Sequence, residues 1–572
     1  MKAKRKEYVA DFETTTKLED CRVWCFSITE IGNEENTVVG KTITDFFNLI
    51  STLGNVVIYF HNLRFDCQFI LSYILTNGYT HVDDKKYMKP KTFTSLISGL
   101  GIFYSIEIKL ENGNLITFYD SYKKIPRPVR NIPKDFGLEE SKGEIDYYKD
   151  RPVGYELDDN EREYVMHDTI IVSKALKKQF DAGLTKMTIA GDALSSVKDM
   201  LDFRTLFPVL DKETDDFIRK SYRGGWCYVN PEYQNKDIGK MLVYDVNSLY
   251  PSRMRYCILP YDKPVYFSGK YQENDEYPLY IAHLFVTFKL KDGCFPCIQD
   301  KHNRMFSSTE YIREYTNITE PLEIYLTSVD LKLFMDMYDV YYIEYVDGYM
   351  FKGQYGMFDK YIDYWNDVKM KATIEKNQAM RTIAKLMLNS TYGKFASATK
   401  TSSKIPYLKE NGIVGYETIE DKEREPVYTA LASFVTAHAR DLTIRSAVAT
   451  NNTFVYADTD SLHIIDDNNI PDIPIDDVKL GYFKLESKPN RGRFLRAKTY
   501  IEEIYDEKTD TFKLDVKCAG MNPEIKELIT WDNFRYGFTS DLKRKPKNVK
   551  GGVVIENIPF TISTPRVYNK RS

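Results

Sequence analysis

The stretch Phe454-Val455-Tyr456-Ala457-Asp458-Thr459-Asp460-Ser461-Leu462-His463-Ile464-Ile465 sets two apolar runs on either side of Asp-Thr-Asp. Runs of this kind around a short polar step predict a β-hairpin that carries its carboxylates at the turn. Far upstream, Met241-Leu242-Val243-Tyr244-Asp245 reads as an apolar strand delivering another aspartate, and Val246-Asn247-Ser248-Leu249-Tyr250-Pro251-Ser252 follows it. Asp245 and Asp460 can meet only in the folded chain. There they can bind two Mg²⁺ ions of the kind that join a hydroxyl to a nucleoside triphosphate.

Between these pieces, Met380 to Lys394 reads as one helix with Gly393 as its stop. Arg381, Lys385, Asn389 and Tyr392 recur at helical spacing and share one face, which suits a triphosphate below and a base pair above. A second acidic set lies in the amino-terminal third. Asp11 and Glu13, two apart in Tyr8-Val9-Ala10-Asp11-Phe12-Glu13-Thr14, share one face of a strand. Tyr59-Phe60-His61-Asn62-Leu63-Arg64-Phe65-Asp66 ends an apolar strand in a polar cluster, and Asn160 to Leu176 predicts an amphipathic helix with Tyr164 one turn before Asp168. Carboxylates gathered from Asp11, Glu13, Asp66 and Asp168 can hold two hard divalent cations for phosphodiester hydrolysis, with Tyr164 orienting the attacking water. An isolated Asp-x-Glu is more often a solvated strand end. Three elements in this order outweigh that reading.

Composition sets the outer limits. The 572 residues are 43% hydrophobic and 14% aromatic, enough for roughly four domain-sized units by the usual length prior. The chain opens on basic residues with no apolar stretch of signal-peptide length, and no run reaches the roughly 18 apolar residues of a membrane helix. Eight scattered cysteines fit a reducing cytoplasm, and the single CxxC, Cys294 to Cys297, lacks the second half of a zinc ligand set. The net charge of −4 hides local bias: residues 541–572 hold eight Lys or Arg against two acids, and 481–500 hold six against Glu486 alone. Such stretches raise the prior for phosphate contact modestly.

Asp-Val-Asn-Ser-Leu-Tyr-Pro, Lys-Leu-Met-Leu-Asn-Ser-Thr-Tyr-Gly-Lys-Phe and Tyr-Ala-Asp-Thr-Asp-Ser resemble motifs A, B and C of the family B DNA polymerases. Asp11/Glu13, Asp66 and Tyr164/Asp168 resemble that family's DEDD exonuclease in its tyrosine-bearing form. Tyr222-Arg223-Gly224-Gly225, Lys498-Thr499-Tyr500, Pro406 to Gly412, Val516 to Met521 and Val553-Val554 are similar to the protein-primed subgroup of phi-29-type bacteriophages, and the resemblance covers nearly the whole chain.

The resemblance implies an α/β and α+β multidomain fold: an RNase H-like exonuclease domain (1–185), then a right-hand polymerase. Its parts are palm (186–256 and 426–528), fingers (355–395) and thumb with a basic tail (529–572). Two insertions, 257–354 and 396–425, are expected to hold a terminal protein and to form a hairpin around DNA. Asp245 and Asp460 become the principal ligands of two Mg²⁺ (or Mn²⁺) ions, with the Val246 carbonyl contributing and Asp458 supporting. Tyr250 becomes the gate against a 2′-hydroxyl. Lys369, Arg381, Lys385, Asn389 and Tyr392 match nucleotide contacts, and Tyr222, Arg223, Gly224, Gly225, Ser248, Lys498 and Tyr500 match DNA or primer-terminus contacts. Asn62, Phe65, Ser121, Lys142, Tyr147 and Tyr164 match positions that hold single-stranded DNA or assist hydrolysis. The implied partners are primer-template DNA, dNTPs, a terminal protein primer and a phage single-stranded DNA-binding protein, in the cytoplasm of an infected bacterial host, with no membrane.

Arg381, Thr391, Cys67 and Tyr122 depart from the family pattern, which commonly has Lys, Leu, Gly and Leu there. A reverse transcriptase or RNA polymerase would share the two-metal chemistry, but Asp-Thr-Asp and Tyr250 disfavour both. A lone exonuclease or a non-catalytic DNA-binding protein would not need two complete carboxylate sets.

Overall fold

Alternation in Tyr8 to Thr14 builds the strand Lys6–Thr14, which turns Phe12 into the core against Phe46 and Phe60, with ring centroids 4.9 and 5.0 Å away. The computed structural model describes residues 5–141, 143–147, 149–299, 311–450 and 452–564. In the amino-terminal eight-stranded sheet the order is Asn33–Gly40, Val23–Glu30, Lys6–Thr14, Val56–Phe60, Leu115–Asp120, Phe103–Lys109, Thr92–Ile97, Thr80–His81. Lys6–Thr14, Val56–Phe60 and Leu115–Asp120 run parallel. Their carboxyl ends therefore open on one edge, bringing Glu13, Asn62 and Asp120 to the same side, where α/β folds place their sites. The helix Asp159–Asp181 covers this sheet and is fixed by Ser27 Oγ to Val165 O (2.6 Å) and by the Thr29–Thr169 hydroxyl pair (2.8 Å). It starts with a capping box, Asp158 and Glu161 each accepting the other's backbone N–H.

The carboxyl-terminal half is built on an antiparallel sheet ordered Phe483–Ser487, Met241–Val246, Ser461–Ile465, Phe454–Asp458, Cys227–Val229. The largely buried helix Thr429–Ala449 backs it. A flanking sheet joins Asp237–Ile238, Arg491–Arg496, Thr499–Asp506 and Thr511–Cys518. Inside 257–354, Leu259–Ser268, Leu279–Leu290, Glu314–Tyr315, Leu322–Thr327 and Tyr338–Gln354 form a sheet of their own.

The two halves share one apolar core. It runs from Val9, Tyr59, Ile132 and Phe136 through Ile189 and Val197 to Ile383, Met387, Leu431 and Phe434. Within the junction Lys124 is fully buried, and its ammonium donates to Leu184 O and Lys186 O (both 2.9 Å) and to Asp192 Oδ2 (2.6 Å).

The small insertion is a hairpin, Ser402–Leu408 with Val414–Glu420, longer than the turn-centred pattern at Tyr407 to Tyr416 predicts. A second hairpin, Thr539–Val549 with Gly552–Thr561, reaches back across the molecule. Both end on the amino-terminal helix Leu63–Thr76. Gln68 Oε1 accepts the Tyr416 hydroxyl (2.7 Å) and the Asn548 amide (2.9 Å) together, and Ile413 bridges to Lys550. Gly552 allows this approach, since a Cβ there would lie 2.3 Å from the Phe69 ring. The two hairpins thus meet each other on the amino-terminal half.

One helix differs from expectation. Met380 to Lys394 is not continuous: Gln378–Asn389 stops at Ser390, and Tyr392–Phe395 forms a separate short turn. The break falls at Ser390 and Thr391, before Gly393, where the buried Thr391 hydroxyl bonds Met387 O (2.9 Å) and Tyr361 Oη (2.8 Å).

Removing Asp192 leaves the Lys124 ammonium buried without its countercharge, which costs about 3–5 kcal/mol. Asp192→Ala is expected to lower the denaturant midpoint of the junction between the two halves, and Lys124→Met with Asp192→Leu to recover most of the loss, as followed by urea unfolding.

Candidate active sites

At the open edge of the amino-terminal sheet, Asp11, Glu13 and Asp168 each offer an oxygen, all within 4.8 Å of one another. Strand alternation sets the first two, and the helix Asp159–Asp181 brings the third. Asp66 stands one step back from this trio. It is buried, accepts the Phe12 N–H, and burial plus the Asp11 charge hold its carboxyl well above the usual range. Tyr164 lies one turn before Asp168, its hydroxyl 2.8 Å from that of Tyr147. Lys142 lies outside the described residues.

Asn62 caps the helix Leu63–Thr76 in a left-handed conformation (φ 72°), which Asp120 supports by accepting the Asn62 and Tyr122 N–H groups, both at 3.0 Å. Asn62 and Phe65 line a cavity of about 290 Å³ with Arg64, Gln68, Lys404 and Tyr416. Ser121, expected to touch DNA, is fully buried. Its hydroxyl donates to Phe60 O (3.1 Å) and pairs with His61 Nδ1 (3.0 Å), so it reaches the surface only through His61. Cys67 is buried in the helix core, and Tyr122 is exposed beside the His61 ring.

In the central sheet, Asp245 lies opposite Ser461, and Asp458 also pairs with Ser461 across the hairpin. The Val246 N–H donates to Asp460 O at 2.8 Å, which welds the hairpin turn to the upstream strand. Asp245, Asp458, Asp460, Glu486, Lys498 and Tyr500 line one cavity of about 540 Å³. Burial, Asp460 and Glu486 push the Asp245 carboxyl up to about 7, and Lys385 opposes this; burial and Asp458 raise Asp460 as well. Hard oxygen donors crowded this way suit a divalent cation, which relieves the repulsion.

These two centres are what a nucleotidyl-transfer enzyme with a separate hydrolytic site requires, and known proteins agree. Residues 51–476 match the family model described as DNA polymerase type B, organellar and viral. The chain is 43% identical over 580 residues to the DNA polymerase of Bacillus phage B103, spanning 98% of this chain and 100% of that protein. It is 41% identical to that of Bacillus phage phi29, over 98% and 99%. Phi29 DNA polymerase complexed with primer-template DNA and incoming nucleotide superposes with a TM-score of 0.91 at 40% identity, over 98% of this chain and 100% of that one. The chain belongs to the type B DNA polymerases.

In this polymerase, Arg381, Lys385 and Asn389 form an exposed stripe on the helix Gln378–Asn389, whose other side buries Ile383, Ala384, Met387 and Leu388. Lys369 converges on it from the helix Asp359–Ile374. Burial, Arg381 and Lys385 lower its pKa, and among the described residues none of the three cations is ion-paired. Tyr250 stacks on Tyr392 with centroids 4.0 Å apart. Gly225 makes room for that pair: a Cβ there would lie 2.6 Å from Thr459 Cγ2 and 2.9 Å from Tyr250 Oη. Ser248 caps the helix Leu249–Tyr256 in a left-handed conformation.

Arg223, expected at DNA, turns inward. Its guanidinium is buried on Ser221 O (3.3 Å) and Tyr325 O (2.9 Å), and burial lowers its pKa to about 10. Arg440 holds the carbonyls of Arg223 and Gly224 at 2.9 and 2.8 Å while pairing in two-pronged fashion with Asp330. Tyr222 is half-buried against the same core. The Tyr500 ring packs on Phe494. Sequence reading missed Asp120, Gln68, Cys227, Glu486 and Arg440, since no local spacing marks a residue whose partner lies far along the chain.

The raised Asp245 carboxyl fixes a sign. Its neutral form is favoured in the fold, so the metal-free protein loses stability as pH rises from about 4 through about 7. Asp245→Asn cannot ionise. It is expected to melt roughly 1–2 °C above the metal-free parent at pH 8 and alongside it at about pH 4, by differential scanning fluorimetry.

Proposed function

We propose that this enzyme replicates a phage genome from a protein primer, displacing the downstream strand as it goes, and proofreads with its amino-terminal domain. The observation that carries the reading is the pair of carboxylate centres on separate sheets, with both hairpins meeting at Gln68, where the chain would close a ring around DNA. At the polymerase centre Asp245, the Val246 carbonyl and Asp460 would hold two Mg²⁺ ions. When bound, such ions activate the attacking oxygen and stabilise the leaving one. The chain's own residues do the rest: Lys369, Arg381 and Lys385 gather the triphosphate, Asn389 and Tyr392 face the base pair, and the Tyr250–Tyr392 stack fills the space that a 2′-hydroxyl needs. Lys498 faces the primer terminus.

At the second centre Asp11, Glu13, Asp66 and Asp168 would hold the ions for 3′→5′ hydrolysis. Asn62 and Phe65 grip the frayed strand in their cavity, and the paired Tyr147 and Tyr164 hydroxyls orient water. The sheet between Leu259 and Gln354 exposes Tyr266 and Tyr341, an aromatic surface suited to a protein partner such as a terminal protein. No helix among the described residues is long and apolar enough to cross a membrane.

Because the centres draw on separate carboxylates, Asp245→Ala is expected to abolish primer extension and leave degradation of single-stranded DNA intact. Asp11→Ala with Glu13→Ala should do the reverse. A variant that lost both activities together would contradict the division.

The ring is tested by deleting residues 397–422 behind a short linker and comparing products on primed circular single-stranded DNA with trap DNA present. Encirclement resists salt, whereas phosphate contacts weaken steeply with it. The parent is expected to make long displaced products at low and moderate salt. The deletion variant should make short ones while still inserting a single nucleotide normally. Equal lengths would show that the hairpin neither clamps nor parts strands.

A further inference from the structure

Among the described residues, Asp458 differs from its two neighbours in the polymerase centre. No side-chain donor is hydrogen-bonded to Asp245 or Asp460, whereas both Asp458 oxygens are engaged. The Cys227 thiol donates to Oδ1 at 3.0 Å, the Lys498 ammonium reaches the same oxygen at 2.5 Å, and the Tyr456 hydroxyl donates to Oδ2 at 3.3 Å. Tyr456 Oη also accepts the Lys498 N–H at 2.9 Å. Lys498 sits in the left-handed region (φ 55°), so its place depends on these tethers rather than on its own backbone preference.

Cys227 is set by the sheet. It lies directly opposite Asp458 in the ladder between Cys227–Val229 and Phe454–Asp458, and the neighbouring Thr459 N–H donates to Trp226 O at 2.7 Å. The thiol thus holds Oδ1 from the strand register, together with the Thr459 hydroxyl at 3.5 Å, and stands beside the Lys498 ammonium that the same oxygen accepts.

We propose that Cys227 is a positioning residue of the synthesis centre: acting through Asp458, it aims the Lys498 ammonium at the primer terminus. This rests on the reading that Lys498 contacts the primer. The proposal explains why three carboxylates divide into two open for cations and one committed to a lysine.

The test uses the full chain carrying Asp11→Ala and Glu13→Ala, so that the primer is not degraded. Primer-template binding is measured by fluorescence anisotropy in EDTA without nucleotide, followed by single-nucleotide insertion to separate kcat from the nucleotide KM. Loss of one hydrogen bond to a charged group corresponds to about tenfold weaker binding or more. Cys227→Ala is expected to show that loss with an unchanged nucleotide KM. Cys227→Ser, which keeps a donor, should bind as the parent does. Lys498→Ala should weaken binding at least as much, and adding Cys227→Ala to it should cost nothing further, because the thiol acts only through that lysine. Parental binding by Cys227→Ala, equal impairment of the Ser and Ala variants, or additive losses would overturn the proposal. Unchanged binding by Lys498→Ala would overturn the primer-terminus reading itself, and the proposal with it.

Discussion

The hydrogen bond from the Val246 N–H to the Asp460 carbonyl joins two pieces of chain that share no sequence neighbourhood. It fixes where the hairpin turn meets the upstream strand, and so how closely Asp245 and Asp460 must stand. Their mutual repulsion is the constraint around which the centre is arranged. A buried carboxylate beside another is raised toward neutrality unless a cation compensates, as the Asp245 carboxyl at about 7 shows. The surrounding parts answer it: Lys385 faces the pair from the helix Gln378–Asn389, and Asp458, whose charge also raises Asp460, is held by Lys498 and Cys227.

The amino-terminal centre meets the same constraint with different geometry. Parallel strands open their carboxyl ends on one edge, and the covering helix lowers Asp168 onto Asp11 and Glu13. Asp66 is kept back, buried and close enough to Asp11 that both effects raise its carboxyl above the usual range. The Tyr147–Tyr164 hydroxyl pair lies within the same wall. One fold class uses antiparallel registry to place acids at a hairpin tip, and the other uses parallel strand ends.

What makes one machine of two centres is continuous packing. Phe136 of the amino-terminal half and Ile383 of the helix Gln378–Asn389 belong to a single core, and Thr382 Oγ1 donates to Asp135 O at 2.7 Å across the boundary. On the opposite side both hairpins meet the helix Leu63–Thr76, through Gln68, which accepts from each at once, and through Val414 and Val553, which are buried in the amino-terminal core with Phe69.

The sequence by itself determined the elements whose signals are local. Asp-Thr-Asp between apolar runs, the Asp11/Glu13 alternation, Tyr164 one turn from Asp168 and the four-residue spacing of Arg381, Lys385 and Asn389 each follow from strand or helix period alone. Tertiary structure decided everything that depends on a distant partner. Thr391 buries its hydroxyl on Tyr361, Arg223 turns inward because Tyr325 offers a carbonyl, and Ser121 is sealed under His61. Periodicity tells which face a residue occupies. Which donor or acceptor meets it there depends on chain folded from hundreds of residues away, and no local pattern carries that.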